Sequence, residues 1–130
     1  MKKQETIEDA KTYLENAKSI LKEKAQLEGG YYSKPKYVKM AGNTAWNGVL
    51  VALDVLMHEK GINKKGRKNV DDYRDLIARE NLKLLKTFNS AYNHLHLFMG
   101  YDGELNAQIA KTGMKLAEEI IHWVEKKIKK

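Results

Sequence analysis

Hydrophobic residues recur at alternating three- and four-residue steps in the first part of the chain. This spacing places them on one face of a helix. The residues that share it are Ile7, Ala10, Leu14, Ala17 and Leu21. Thr6 is suited to cap the amino end of this helix. Two glycines at positions 29 and 30 favour its end, because glycine takes the left-handed conformation without steric cost. The pattern predicts a first helix over residues 6–28.

The same periodicity continues through three further segments of the chain. It predicts helices over residues 37–60, 70–99 and 104–128, separated by short segments with glycine and polar residues. We find no stretch with the period-two alternation typical of a strand. The predicted fold is therefore all-α, an antiparallel up-down-up-down four-helix bundle that forms a single domain over residues 1–130.

Composition and charge exclude several classes of protein. The chain has 130 residues, of which 42% are hydrophobic and 32% charged, as in a globular domain. It has no cysteine, which excludes disulfides, thiolate metal sites and a cysteine nucleophile. The longest apolar run, residues 49–53, is far shorter than the roughly 20 residues of a membrane span. The first residues lack the apolar stretch of a signal peptide, so we expect none. We therefore expect a cytoplasmic protein with no membrane partner.

Basic residues are expected to gather at one end of the bundle. The formal net charge is +7, and the predicted topology brings the N-terminus, the second loop and the C-terminus together. Two interpretations stay open, a solvated end that aids solubility and a patch that binds an anion or nucleic acid. The candidate anion patch consists of Lys64, Lys65, Arg67, Lys68, Lys126 and Lys127.

Aromatic and polar side chains are expected at or near the opposite end, about one helix length from the basic patch. Stacking rings beside amides and imidazoles favour a pocket for a small molecule or a nucleobase. The alternative is that the tyrosines close the end of the bundle, with their rings buried and their hydroxyls in water. The candidate ligand-binding residues are Tyr31, Tyr32, Trp46, Asn89, Asn93, His94, His96 and Tyr101.

The histidines give little support for metal or covalent chemistry. His94 and His96 are two residues apart, which on a helix is a rotation of about 200°, so they cannot grip one metal. Glu119 and His122 match the Glu-x-x-His spacing of two-metal bundles once, but no second copy exists. Ser90 lies one turn from His94 without an orienting acid. We therefore predict no catalytic residue, no metal and no cofactor.

Three stretches of the chain resemble HEPN-type domains (higher eukaryotes and prokaryotes nucleotide-binding). They are residues 10–17 (Ala-Lys-Thr-Tyr-Leu-Glu-Asn-Ala), Ala45-Trp46 with Leu53-Asp-Val-Leu56, and Ala110 with Ala117-Glu-Glu-Ile-Ile-His-Trp-Val124. The chain is also similar to a small bacterial family of unknown function that shares this bundle. The resemblance implies a four-helix bundle that often dimerises.

The resemblance also bears on catalysis. In active HEPN members an arginine followed four to six residues later by histidine, near the end of helix three, cleaves RNA. Here the last arginine of the chain is Arg79, too far upstream of His94 and His96. Without that cation the charge that develops on the phosphate loses its stabiliser. We therefore do not expect a standard ribonuclease.

These observations favour a small, basic bacterial binding or interaction module that forms a homodimer. The dimer expectation rests on Leu82 and Leu97, which fall on an outer strip of helix three with Asn89, Asn93 and His96. The alternative is a divergent HEPN-type ribonuclease, with His94 or His96 as the acid–base group. A further alternative is a nucleotide-binding partner of a nucleotidyltransferase or of a toxin–antitoxin pair. The expected partners are thus a second copy, another protein, or a nucleotide or RNA.

Overall fold

The computed structural model describes residues 4–62 and 68–129. Its helices are α1 (Ile7–Lys24), α2 (Pro35–Glu59), α3 (Val70–Glu80), α4 (Leu82–Ala91), a π-helical segment (Tyr92–Tyr101) and α5 (Ala107–Ile128). Two short strands, β1 (Leu27–Glu28) and β2 (Tyr31–Tyr32), pair in antiparallel fashion between α1 and α2. The protein is predominantly helical, so the predicted all-α class is confirmed. In the part of the chain that is described, no helix is both long and apolar enough to span a membrane.

The core forms around α2. The helices α1 and α5 and the π-helical segment all pack against it, and buried side chains occur on most of its surface. The predicted apolar face of the first helix is confirmed, because Ala10, Leu14, Ala17 and Leu21 are all buried. The second and last helices agree with the predicted ranges to within three residues at each end.

The single helix predicted over residues 70–99 is wrong. Asn81 has an extended backbone (φ −164°, ψ 94°) that separates α3 from α4, and its side chain caps the next helix by accepting a bond from the Leu84 amide. Asparagine competes in this way for backbone hydrogen bonds and so interrupts helices. From Tyr92 the chain continues as a π-helix. The described residues therefore contain five α-helices rather than four.

The link between the first two helices also differs from the prediction. The first helix ends at Lys24, and β1 and β2 form a hairpin where an extended helix end and a loop were expected. Gly29 and Gly30 have positive φ angles of 55° and 84°, which allow the tight turn between the strands. The Tyr32 amide donates to the Leu105 carbonyl at 2.8 Å. The hairpin is thereby fixed to the segment that leads into α5.

The π-helical segment approaches α2 very closely at Gly42. A Cβ atom at this position would lie 2.5 Å from the Cβ of Met99 and 2.6 Å from the carbonyl oxygen of Leu95. Next to this contact, the side-chain amide of Asn43 donates to the Gly100 carbonyl at 3.3 Å. The absence of a side chain at Gly42 thus fixes where the π-helical segment, with both of its histidines, lies against α2.

Candidate functional site

Three rings from α2 and the π-helical segment form one aromatic cluster. The ring centroid of Trp46 lies 5.6 Å from that of Tyr92 and 6.1 Å from that of His96, and Tyr92 and His96 are 5.3 Å apart. Phe88 of α4 also packs against Trp46, at 5.4 Å. Only 6% of Trp46 is exposed. The indole is therefore held rigidly, and Tyr92 and His96 are more exposed than it is.

A cleft of ≈ 500 Å³ lies against this cluster. The aromatic rings form one part of its wall, and the segment that leads into α3 forms another. The residues that contribute its polar and aromatic atoms are Trp46, Lys68, Asn69, Tyr73, Tyr92 and His96. The cleft thus combines flat ring surfaces with a cationic side chain, which is the composition of a site for an aromatic anion.

A capping box positions the α3 side of the cleft. The Asn69 side chain accepts a bond from the Asp72 amide at 3.1 Å, and the Asp72 carboxylate accepts one from the Asn69 amide at 2.7 Å. Lys68 precedes this cap, and its ammonium lies 3.2 Å from the Asp54 carboxylate of α2. The hydroxyl of Tyr73 donates to the same carboxylate oxygen at 2.9 Å. Asp54 therefore joins the start of α3 to α2.

Tyr73 is a neutral donor at the base of this arrangement. Its side chain is buried, and burial together with the neighbouring Asp54 carboxylate raises the pKa of Tyr73 well above the ordinary value of a phenol. The phenol consequently stays protonated and keeps its hydrogen bond to Asp54 through the physiological pH range.

Arg74 borders the cleft through the ring of Tyr92. Its guanidinium carbon lies 5.4 Å from the centroid of that ring, in a cation–π contact. Its Nε donates to the Asn89 side chain at 2.8 Å, and its Nη1 donates to Asp71 at 2.9 Å. These contacts hold an arginine beside the ring that also touches His96. Sequence reasoning missed this arginine because it considered only arginines shortly before the histidines in the chain.

The two histidines have different surroundings. The Nδ1 atom of His96 is buried and has no hydrogen-bond partner among the described residues. By contrast, the Nδ1 atom of His94 lies 2.8 Å from the Ser90 carbonyl, and its ring packs against Phe98. Because buried polar atoms are nearly always paired, the unpaired nitrogen marks His96 as a functional candidate. The two imidazoles therefore contact different rings.

Comparison with known proteins places the chain in a family. Residues 5–126 match a family model described as Domain of unknown function (DUF5618). The chain belongs to the DUF5618 family. It is also similar to a solved structure described as a protein of unknown function from Dyadobacter fermentans, with 47% identity, a TM-score of 0.83 and coverage of 94% of both chains. No curated protein matches.

The family match has two consequences. The expected similarity to a family of unknown function is confirmed, whereas neither description mentions an HEPN domain. All residues of the cleft lie between positions 46 and 96, inside the matched range. The cleft is therefore part of the DUF5618 domain itself.

The remaining candidate ligand-binding residues of this DUF5618 protein do not join the cleft. Tyr31 lies exposed on β2, Asn93 is exposed, and Tyr101 is 78% exposed. Tyr32 is half-buried and lines a different groove. Asn89 reaches the border of the cleft only through Arg74.

The candidate anion patch is divided in the structure. Lys64, Lys65 and Arg67 lie outside the described residues. Lys126 is exposed, and the ammonium of Lys127 lies 3.5 Å from the Glu80 carboxylate. Lys68, in contrast, lines the cleft.

The position of Lys68 overturns one expectation about the site. The basic end of the molecule and the aromatic pocket were expected to lie about one helix length apart. Instead, Lys68 from the basic loop lines the same cleft as Trp46 and His96. The reason is that the chain after the loop returns along α2 as far as Asp54, which pairs with Lys68.

Among the residues described, no three His, Asp or Glu side chains are placed to hold a metal ion.

Proposed function

We propose that this protein is a non-catalytic binding module whose cleft takes a ligand with a planar aromatic ring and an anionic group, the chemistry of a nucleotide. The observation that carries the proposal is that Lys68 lines one cleft with the rings of Trp46, Tyr92 and His96, where a phosphate would compete with the Asp54 carboxylate for its ammonium. Rings of this kind stack on bases, and an ammonium attracts phosphate. The volume of ≈ 500 Å³ is typical of small-molecule sites.

The unpaired nitrogen of His96 supports a specific polar contact in this cleft. An imidazole nitrogen can donate or accept a hydrogen bond, so a base with a complementary edge can pair with it. A buried polar atom without a partner costs about 1–3 kcal/mol, and a ligand would remove that cost if the imidazole turned so that Nδ1 faced the cleft. We therefore expect His96 to contribute more to affinity than any other polar residue of the cleft.

Tryptophan fluorescence tests the proposal directly. The Trp123→Phe variant removes the indole on α5 and leaves Trp46 as the sole tryptophan. In this background, titration with adenosine, guanosine, cytidine and uridine monophosphates should quench Trp46, and at least one should bind. Adding His96→Ala should weaken that binding at least tenfold.

The matched control is His94→Ala, since His94 lies on the same segment but packs against Phe98 instead of Trp46. It should bind the same nucleotide as tightly as the Trp123→Phe parent. The proposal fails if none of the four nucleotides binds, or if the two histidine variants lose affinity equally.

The alternative function is RNA cleavage by a divergent HEPN-type site, and one observation favours it. Arg74 and His96 both touch the ring of Tyr92, so a cation and an imidazole border the same cleft. Together such groups can move a proton and stabilise charge on a phosphate. Cleavage of RNA that is lost in both Arg74→Ala and His96→Ala supports this function. Equal cleavage by the wild type and both variants excludes it.

We further infer an HEPN-like four-helix arrangement in which α3, α4 and the π-helical segment together take the place of the third helix. A bacterial, cytoplasmic homodimer is part of the same proposal. Leu82 of α4 is 69% exposed, so it is accessible for contact with a second copy. Light scattering should give a dimer for the wild type and a monomer for Leu82→Ser, and a monomeric wild type contradicts it. A neighbouring gene for a nucleotidyltransferase or a toxin–antitoxin component would support a partnered pair.

A further inference from the structure

A second concave surface lies between α1, the hairpin and α5. It is an apolar groove of ≈ 630 Å³, and it shares no lining residue with the cleft. Its floor consists of Leu21, Leu27, Tyr32, Ala110 and Met114. Leu27 is 57% exposed, although most large apolar side chains of this protein are buried. An exposed leucine beside an apolar groove is typical of a docking surface.

The backbone before Leu27 is strained in a way that presents this side chain. Gln26 has φ 54°, the one positive φ among the described non-glycine residues. A side chain in this left-handed conformation costs roughly 1–2 kcal/mol. Gln26 lies between the end of α1 and the start of β1 and redirects the chain there. Leu27 and Tyr32 are paired across the hairpin, and both line the groove.

Lysines line both sides of the groove. Lys18 and Lys22 come from α1, and Lys111 and Lys115 come from α5. Glu118 is the only acid among the lining residues, so the formal charge of the groove is 4 − 1 = +3. The Lys18 ammonium lies 3.4 Å from the Glu118 carboxylate, so these two charges compensate each other.

The other three lysines remain available. Lys22, Lys111 and Lys115 are exposed, and none of them forms an ion pair within the described part of the chain. Their positive charges therefore surround an apolar floor without intramolecular compensation. A ligand that covers this floor gains most if it carries negative charges at its edges.

We propose that this groove binds an acidic amphipathic helix of a partner protein. The apolar face of that helix would pack on Leu27 and Met114, and its flanking carboxylates would pair with Lys22, Lys111 and Lys115. The α5 residues that line the groove run from position 107 to 118, a distance of roughly 16 Å, which matches about three helical turns. Binding of a helix in such a groove is a common mode of peptide recognition.

Charge also decides against a second copy of this chain as the occupant. The chain carries a net charge of +7, so a copy docked on the lysine-lined groove would bring like charges together unless it presented a local acidic strip. An acidic helix from another protein has no such penalty. The proposal concerns a surface separate from the cleft, so it stands or falls independently of nucleotide binding.

Two synthetic helices provide the first test. One is a 15-residue peptide with leucine at positions i, i+3, i+4 and i+7 of its apolar face and glutamate at the flanking positions, and the other has lysine in place of every glutamate. Calorimetry with the full chain should show binding of the glutamate peptide. The lysine peptide should bind at least tenfold more weakly, and added salt should reduce the difference.

Substitutions in the groove provide the second test. The double variant Lys111→Glu/Lys115→Glu should weaken the glutamate peptide at least tenfold, and Leu27→Ser should weaken it about fivefold. All three side chains are exposed, so circular dichroism should show an unchanged fold. The matched controls are Lys83→Glu/Lys86→Glu on α4 and Met40→Ser on α2, which replace exposed lysines and an exposed apolar side chain outside the groove and should leave the affinity unchanged.

Several outcomes overturn the proposal. Equal affinity for the two peptides would show that charge does not govern binding. Equal losses of affinity in the groove and control variants would show that the peptide does not bind in the groove. Binding of dodecanoate without binding of the glutamate peptide makes the groove a site for fatty acids instead. Self-association that is lost in Leu27→Ser makes the occupant a second copy.

Discussion

Replacing Gly42 by alanine tests the contact that positions the π-helical segment. The new Cβ would lie 2.5 Å from the Met99 Cβ, 2.6 Å from the Leu95 oxygen and 2.8 Å from the Gly100 nitrogen. Ordinary contacts begin at 3.4 Å, so the segment would have to move by roughly 1 Å. Two of the three obstacles are backbone atoms, which cannot rotate away as the end of a side chain can.

The expected size of the effect follows from two opposing contributions. Overpacking of this kind costs about 3 kcal/mol, at the upper end of its usual range, because backbone is in the way. Alanine is a better helix former than glycine, and this difference in propensity recovers about 1 kcal/mol of stability. We therefore expect Gly42→Ala to lower the free energy of unfolding by about 2 kcal/mol. Urea unfolding followed by circular dichroism measures this difference.

Gly48→Ala is the matched control on the same helix. There a Cβ would lie 3.0 Å from the Ala10 carbonyl oxygen and 3.1 Å from the Tyr13 Cβ, which a shift of a few tenths of an ångström relieves. We expect a change within about 1 kcal/mol, since the helix propensity of alanine offsets most of the strain. Unchanged or increased stability in Gly42→Ala, or a larger loss in Gly48→Ala, would refute the reasoning.

Two further predictions concern the start of α3 beside the cleft, and a third concerns the ion pair between α1 and α5. Asn69→Ala should cost about 1 kcal/mol in urea unfolding, because it removes half of the capping box that begins α3. The raised pKa of Tyr73 gives stability that is present below the ordinary phenol pKa and is lost as pH rises above it. Tyr73→Phe should therefore reduce the fall of unfolding free energy above pH 10, by up to about 1.4 kcal/mol per pH unit. A hydrogen bond from Lys11 lowers the pKa of Glu125, which gives stability that is lost as pH falls through the lowered value, so Lys11→Met should flatten the acid side of the stability profile.

The sequence predicts α1, α2 and α5 well, because each carries an apolar face with helical spacing and ends at glycine or polar residues. The break at Asn81 escapes the same reasoning. Ile77 before it and Phe88 after it are both fully buried, so the apolar pattern continues across the break without interruption. A single extended residue changes the direction of the chain but leaves the hydrophobic spacing almost intact. Local pattern alone therefore merges α3 and α4.

The residues of the candidate cleft were predicted less completely than the fold, for a related reason. Trp46 and His96 were proposed from their residue types, because aromatic and imidazole side chains suggest binding chemistry. Arg74 and Lys68 join them only through the turn before α3 and the break after it, which set where α3 lies against α2. Contacts between distant segments of this kind depend on the angles between helices, which the spacing of apolar residues does not specify.

The cleft and the groove should bind their ligands independently. The π-helical segment contacts both α2, which forms part of the cleft, and α5, which forms part of the groove. Leu95 packs against Gly113 of α5, where a Cβ would lie 2.8 Å from its side chain, and Met114 of the groove is the next residue. His96 of the cleft likewise follows Leu95. Leu95 and Gly113 are buried, and the sites share no lining residue, so their binding energies should add. In the Trp123→Phe variant, saturation with the glutamate peptide should change nucleotide affinity less than twofold. A larger change would mean that Leu95 moves between two positions, because coupling between separate sites requires an element with two states that both ligands bias.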